Sequence, residues 1–446
     1  MDLFSTSFLV VASLVDDPSI NPQGCYEYAW NGVAFGERTF LNQVRTVRFN
    51  HALVIDREVT SFEVADLSLR TPETAGFSLD DLVDFQLDGI RSVIRSYADL
   101  LGQRINLSMS GGYDSRLLLA LLLEAGVRPC LFTYGKADDP EVRLVEAIAA
   151  SENLPLEKID KSEFGEPPHE QFHDIVCENM RLFDGWKVYG SIFEDGADAL
   201  DRTERVANGH VKMNGSGGEI YRNFFYLPDK KYSVRQVVWS FYSRYQSSWC
   251  TTAFQEDEYE QNIADSILSA IGLSRPLLDR TEVEMVYPLF RTRYWTARDV
   301  CVNLGFGPAL FPFMEPRAVA GSFDIPIKWK NHGLFEGRMI RRINPRLAAY
   351  PSSYGHSFAT DPRLPTRAKY LSTYLRPPYL RKFSYRLRHI TRKEFPWYLK
   401  REYLSQVIDT SFPFMQPLFL VEKITDPDVM ERIATIEFIC QKRHAI

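Results

Sequence analysis

Long apolar runs are missing from this chain of 446 residues. None approaches the roughly 18 residues that a membrane-spanning helix needs; the most apolar stretch, residues 117–123, is far shorter. No membrane span is therefore expected. Cysteine is sparse. Cys25, Cys130, Cys177, Cys250, Cys301 and Cys440 are scattered, with no Cys-x-x-Cys pair and no His/Cys cluster. That pattern argues against zinc and disulfides and for reduced thiols in a cytoplasmic protein. Lys and Arg are absent from residues 1–7, so the apolar stretch 8–15 lacks the charged flank of a signal peptide and reads as a strand. An excess of positive charge is also missing: 52 Lys and Arg face 58 Asp and Glu, a net charge of −6. Overall charge gives no case for nucleic acid. What remains is ordinary globular composition, 45% hydrophobic and 25% charged, in a chain long enough for two or three domains.

Residues 1–77 read as β-rich, with short strands at 8–15, 32–35, 46–49 and 52–56 and a turn at Asn21-Pro22-Gln23-Gly24. Residues 78–101 read as an amphipathic helix. Val83, Leu87, Ile90, Ile94, Tyr97 and Leu101 fall at i, i+3, i+4 spacing, with Ser78 as cap and Asp80 and Asp81 in the first turn. Strand, helix, strand, helix and strand then alternate at 105–109, 114–125, 129–134, 140–151 and 156–159. Short links between such elements predict a parallel α/β sheet with its ligand at the carboxyl ends of the strands. Residues 160–330 read as mixed and helix-rich. Between residues 366 and 405, 11 Lys and Arg stand against Glu394 and Glu402, interleaved with Tyr and Phe. That stretch is +9 and leaves −15 on the rest. It reads as a helical cap whose bases meet the acidic remainder, or as a face for RNA, an anionic membrane or an anionic substrate.

The chemistry concentrates at Ser110-Gly111-Gly112-Tyr113-Asp114-Ser115. A strand passing through two glycines into a helix start brings backbone N–H groups and the positive helix end onto an anion. Ser110 and Ser115 add hydroxyls. Asp114 would repel a phosphate unless a cation stands between them, which suggests Mg²⁺. No Gly-Lys-[Ser/Thr] follows, so this is not the Walker A loop.

The order Ser-Gly-Gly-Xaa-Asp-Ser resembles the pyrophosphate loop of ATP pyrophosphatases, and with its surroundings it resembles the synthetase domain of the asparagine synthetase family, relatives of β-lactam synthetases and lasso-peptide cyclases. The resemblance implies an adenine nucleotide α-hydrolase-like fold: a parallel sheet with helices on both faces over residues 78–360. A β-rich remnant of a glutaminase domain (1–77) would precede it and a basic, aromatic helical extension (361–446) would follow. It implies ATP and Mg²⁺ as cofactors. It also implies a reaction in which a small-molecule or peptide carboxylate attacks the α-phosphate to give acyl-AMP, from which an amine or ammonia then displaces AMP. Position 2 is Asp2, where the family's glutaminase has its nucleophilic Cys, and Cys25 is far from the amino terminus. No glutamine hydrolysis is expected; nitrogen would come from ammonia, a partner glutaminase or the substrate's own amine.

Asn214-Gly215-Ser216-Gly217-Gly218-Glu219 resembles the family's second glycine segment. The match places Gly215 at the nucleotide and Glu219, with Asp114, on the metal. Ser216 stands where the synthetases have Glu. Tyr134 falls at the family's adenine edge. Glu315, in Phe311-Pro312-Phe313-Met314-Glu315, falls in the acidic place that would handle the amine. The family's late catalytic Lys has no counterpart in Ser353-Tyr354-Gly355-His356-Ser357-Phe358. Arg298 falls near another family Lys and is the first substitute, with Arg341, Arg342 and His356 behind it; Tyr354 and His356 are possible acid/base groups. These residues together predict an ATP-dependent, AMP-forming amide ligase. The competing readings are an intramolecular cyclase, a tRNA-modifying pyrophosphate-loop enzyme with nucleic acid as an unlikely partner, and a nucleotide-binding pseudoenzyme.

Overall fold

The structure is a computed structural model and describes residues 3–48, 51–55, 59–63, 76–388 and 393–442. Its first residues correct the β-rich expectation. Phe8–Ser13 is a helix, not a strand. The β-branched run is overridden by capping: Ser7 accepts from Val10 N, and the distant Asp184 carboxylate accepts from Ser7 Oγ and from the N–H groups of Phe8 and Leu9. The expected turn at Asn21 opens a second helix, Pro22–Asn31, with Asn21 capping Gly24 N and Pro22 in the first turn. Gly32 ends that helix at φ 78°, so 32–35 is not a strand. Residues 46–48 are irregular, and 49 lies outside the described residues. The last expected strand is present: β1 (His51–Ile55) pairs antiparallel with β2 (Val59–Glu63). The helix Pro22–Asn31 is buried from Gly24 to Trp30. Its side chains belong to the same hydrophobic core as the sheet.

The central sheet follows the expected alternation. Its strands are β3 (Ile105–Ser108), β4 (Cys130–Tyr134), β5 (Leu156–Ile159), β6 (Val211–Met213) and, after the small antiparallel pair β7 (Tyr232–Ser233) and β8 (Leu277–Leu278), β9 (Ala309–Leu310). The order is β5-β4-β3-β6-β9, all parallel. The chain runs outward one way from β3 and then returns to run the other way from β6. With crossovers of one hand, that reversal puts helices on both faces. Side chains agree: Asn106 Nδ2 donates to Arg205 O on the helix Ala197–Val206, and its neighbour across the ladder, Lys212, donates to Asn303 on the helix Ala297–Phe306. Ile105, Leu107 and Leu131, on the alternate positions, are fully buried.

The helix Tyr113–Glu124 is buried from Leu117 to Leu122, each leucine contributing about 1.5–3 kcal/mol. It therefore cannot shift without loss of the core, and its first turn is a fixed platform. Helix Leu79–Leu101 covers it, closed by a capping box between Ser78 and Asp81. The C-terminal region is helical at Leu364–Leu375, Pro378–Arg388 and Pro427–Lys442. Its bases pair inward: Lys382 with Glu256 and Glu260, Arg386 with Glu256, and Arg381 with the carbonyls of Phe225, Tyr226 and Thr373. Among the described residues no helix is long and apolar enough to cross a membrane.

Candidate functional site

The order β5-β4-β3-β6-β9 reverses between β3 and β6. That is the switch point at which open α/β sheets leave a crevice beyond the strand ends. Both glycine turns leave the sheet there, Ser110–Gly112 after β3 and Asn214–Gly218 after β6. The first leads into Tyr113–Glu124, whose N-cap is Gly112 and which no side chain caps. Ser115 Oγ locks the turn, accepting from Ser110 N and donating to Ser110 O, each at 3.1 Å. Gly112 N donates weakly to Ser110 Oγ at 3.3 Å. Gly111 N already has an anion, Glu141 Oε1 at 2.8 Å. In the second turn Asn214 Oδ1 accepts from both N and Oγ of Ser216 at 2.7 Å, so Ser216 shapes the loop.

The second turn is folded directly onto Asp114. A Cβ on Gly218 would lie 2.0 Å from Asp114 Oδ1, and one on Gly215 would lie 3.0 Å from Asp114 Cβ. Only glycine allows this approach. Asp114 and Glu219 are thereby brought to one cation, and it is a side chain of the protein. Arg222 Nη2 binds both Asp114 oxygens, at 2.9 and 2.7 Å, and stands 3.6 Å from Glu219 Oε1. Its Nε lies 3.2 Å from Glu336 Oε2, and its Nη1 donates to Tyr354 OH at 2.8 Å. Tyr287 OH donates to Glu219 Oε2 at 2.5 Å.

Three carboxyls on one guanidinium would carry excess negative charge if all were ionised, so the cluster holds on to protons. Burial pushes Asp114 up to about 6, with Arg222 pulling it down and Glu219 pushing it up. Burial, and then the Asp114 charge, hold Glu336 well above the usual carboxylate range. Burial opposes the charge on Arg222, but Asp114, Glu336 and Glu219 outweigh it and keep the guanidinium protonated. The oxygens are the hard donors that a divalent cation takes, so the donor set fits Mg²⁺ in chemistry, while the guanidinium holds the position. As they stand, no three acidic, His or Cys side chains among the described residues are grouped closely enough to hold a metal ion.

The segment 350–358 reaches the site through residues that the sequence did not single out. Arg116, fully buried, donates to Tyr350 O and Pro351 O and lies 4.6 Å over Phe358. Ser353 N donates to Gly111 O. Tyr113 stacks on Phe358 at 3.9 Å, and its hydroxyl meets His356 Nε2 at 3.1 Å. Tyr354 therefore meets Arg222 directly, while His356 meets Tyr113. Arg222 itself was missed. Its one legible signal is spacing, three residues after Glu219, although the turn ends at Tyr221 and Arg222 itself is extended.

The remaining expected residues are not part of the Arg222 cluster. Tyr134 ends β4, donates to Asp201 Oδ2 at 2.7 Å and lies under Lys161 Nζ at 4.5 Å. Glu315 accepts from Tyr97 OH at 2.5 Å and faces the helix Leu79–Leu101; its neighbours Phe313 and Met314 pack on Gly217. Arg341 pairs with Asp361 and Arg342 with Asp84. Arg298 is bound to the carbonyls of Phe183, Asp184 and Trp186 and stacked over Trp186 at 4.1 Å. That is a clamp on the 183–186 turn. Arg298→Ala is expected to cost about 3 kcal/mol of stability and to leave nucleotide affinity unchanged, as urea denaturation and a nucleotide titration would check. No protein-family model matches the chain, and no curated protein matches it significantly.

Proposed function

We propose that the chain is an ATP-dependent, AMP-forming carbon–nitrogen ligase of the asparagine-synthetase type, acting on a carboxylate and an amine or ammonia. The observation that supports this most is the placement of two glycine turns at one switch point, each delivering a carboxylate to a shared cation position. In this reading the fold is of the adenine nucleotide α-hydrolase kind. Gly112 N, the Ser110 hydroxyl and the uncapped helix start receive the pyrophosphate portion of ATP. Tyr134, at the end of β4, borders the adenine. When bound at Asp114 and Glu219, Mg²⁺ would neutralise phosphate charge. Arg222 supplies the cation that the segment 353–358 lacks, and Tyr354 orients it. The substrate carboxylate then displaces pyrophosphate, and the amine displaces AMP.

Pyrophosphate and nucleotide products should be measured with a panel of carboxylic acids, each with ammonia or a primary amine. AMP and pyrophosphate in equal amounts, dependent on the acid, are expected. ADP as the product would overturn the reading.

A second reading, a nucleotide-binding protein without turnover, is favoured by Arg222 closing on the acids and by Glu141 on Gly111 N. Nucleotide binding with no pyrophosphate from any acid would decide for it.

A further inference from the structure

The acid cluster is larger than the two carboxylates that the sequence pairs. Glu336, on the helix Leu334–Ile343, is 0% exposed and points at Arg222, yet neither of its carboxyl oxygens accepts a hydrogen bond. Arg222 Nε, 3.2 Å away, also lacks one: the contact is a charge contact without alignment. What Glu336 does make is an acid-to-acid hydrogen bond with Asp114, and a buried pair of carboxyls that must share a proton is costly. One planar guanidinium with five donors cannot satisfy three carboxyls and a phenol at good geometry. The arrangement is held by charge, and a smaller, doubly charged ion would satisfy it better.

The guanidinium also has somewhere to go. A cavity of about 70 Å³ adjoins it, lined by five tyrosines, Tyr113 and Tyr226 among them, and by His332, His356 and Lys330, whose charge is taken up by Glu284. Tyr354 already holds Nη1. Rings around a polar space suit a cation leaving a carboxylate. Tyr370 and Tyr374 come from the helix Leu364–Leu375, which gives the C-terminal region a part in the site.

We propose that Arg222 is a resident, exchangeable cation: it holds Asp114, Glu219 and Glu336 in the free protein, and a metal–polyphosphate displaces it, the metal taking the three carboxylates and Arg222 taking a phosphate oxygen. No covalent bond is made or broken in this step; two ion pairs replace one cluster. The polyphosphate half rests on the ligase reading, whereas the metal half rests on three carboxyls gathered around one cation position, which must draw closer together than they now stand once the guanidinium leaves.

The probe is Mn²⁺, followed by electron paramagnetic resonance on the full chain, alone and with α,β-methylene-ATP. Wild type is expected to bind Mn²⁺ weakly alone and tightly with the nucleotide. Arg222→Met should bind Mn²⁺ alone on the order of tenfold more tightly, the equivalent of about 1.4 kcal/mol, and should bind the nucleotide more weakly. Adding Glu336→Gln should remove the gain, which identifies Glu336 as a ligand. Should Arg222→Met fail to fold, Arg222→Lys keeps the charge but spans fewer carboxylates, and a gain of a few-fold is expected. Mn²⁺ affinity equal to wild type in the folded variant overturns the proposal, as does a gain that survives Glu336→Gln. Absence of pyrophosphate release with every acid would overturn the ligase reading and leave the Mn²⁺ result standing.

Discussion

Asp114→Asn is expected to lower pyrophosphate release by roughly 10²–10³-fold, as loss of a buried electrostatic contact does, while leaving a protein less sensitive to alkaline pH than wild type. The stability half of this expectation follows from the carboxyl's surroundings. Asp114 is pushed up to about 6 in the fold by burial, against the Arg222 guanidinium and with Glu219. In the unfolded chain it titrates near 4. The fold therefore binds this proton more tightly than the unfolded chain does. Wild type loses the corresponding stability as pH rises from about 4 through about 6, on the order of 2–3 kcal/mol in all. Asn does not titrate, so the variant lacks the Asp114 share of that loss and its stability falls less steeply across the window, Glu336 and the other buried acids still contributing, and at pH 8 the variant is at least as stable as wild type. Arg222 is not stranded by the change. Glu219 and Glu336 still face it, and Glu336, relieved of the Asp114 charge, ionises more readily. Urea denaturation at pH 4, 6 and 8 with parallel pyrophosphate assays checks both halves. A variant that melts out at pH 8, or one that releases pyrophosphate at the wild-type rate, contradicts the assignment of Asp114.

Three strands of the sheet were legible because their signals were local, whereas β6 and β9 are only three and two residues long and lay inside a stretch read as helix-rich. Strands β3, β4 and β5 and their two helices read directly from apolar runs, Pro140 at a helix start and Gly126 after a helix end. The N-terminal region was not, because its decisive contacts are distant. Phe8–Ser13 is helical where Asp184, far along the chain, caps it, and no window of sequence contains both. The same division runs through the site. Asp114 and Glu219 were legible because glycine spacing marks a close backbone approach. Arg222 and Glu336 were not: one follows a single short helical turn in extended conformation and the other sits on a helix with ordinary neighbours, and only the folded chain brings them to the acids. Arg116 shows the limit most sharply. Within the motif it reads as one more helix residue, yet it is fully buried and fastens the segment 350–358 to the phosphate turn. Arg298 shows the converse, a residue suggested by its nearness to a Lys position of the family that the chain resembles, whose guanidinium is bound to backbone carbonyls.

Adding one methyl group at each of two glycines separates architecture from ligand contact. Gly218→Ala is expected to destabilise the protein by about 2–4 kcal/mol. Its φ is not in the left-handed region, so the cost is steric: the new Cβ would lie 2.0 Å from Asp114 Oδ1, 2.6 Å from Cγ and 3.0 Å from Cβ. A carboxylate that short cannot turn aside while Arg222 holds both its oxygens, so either the turn or the ion pair gives way. Gly112→Ala is expected to do the reverse. At φ −86° alanine fits without strain, and its Cβ would meet only Ser110 Oγ, at 3.3 Å. Stability should be unchanged or raised by about 0.4–1 kcal/mol, through the more restricted unfolded chain. The methyl would nevertheless stand where backbone N–H groups must approach a phosphate, so nucleotide affinity should fall on the order of tenfold or more, about 1.4 kcal/mol. Calorimetric melting with a titration of α,β-methylene-ATP reads both effects. Unchanged nucleotide affinity in a folded Gly112→Ala protein would mean that the first turn is a structural bend and not a phosphate site.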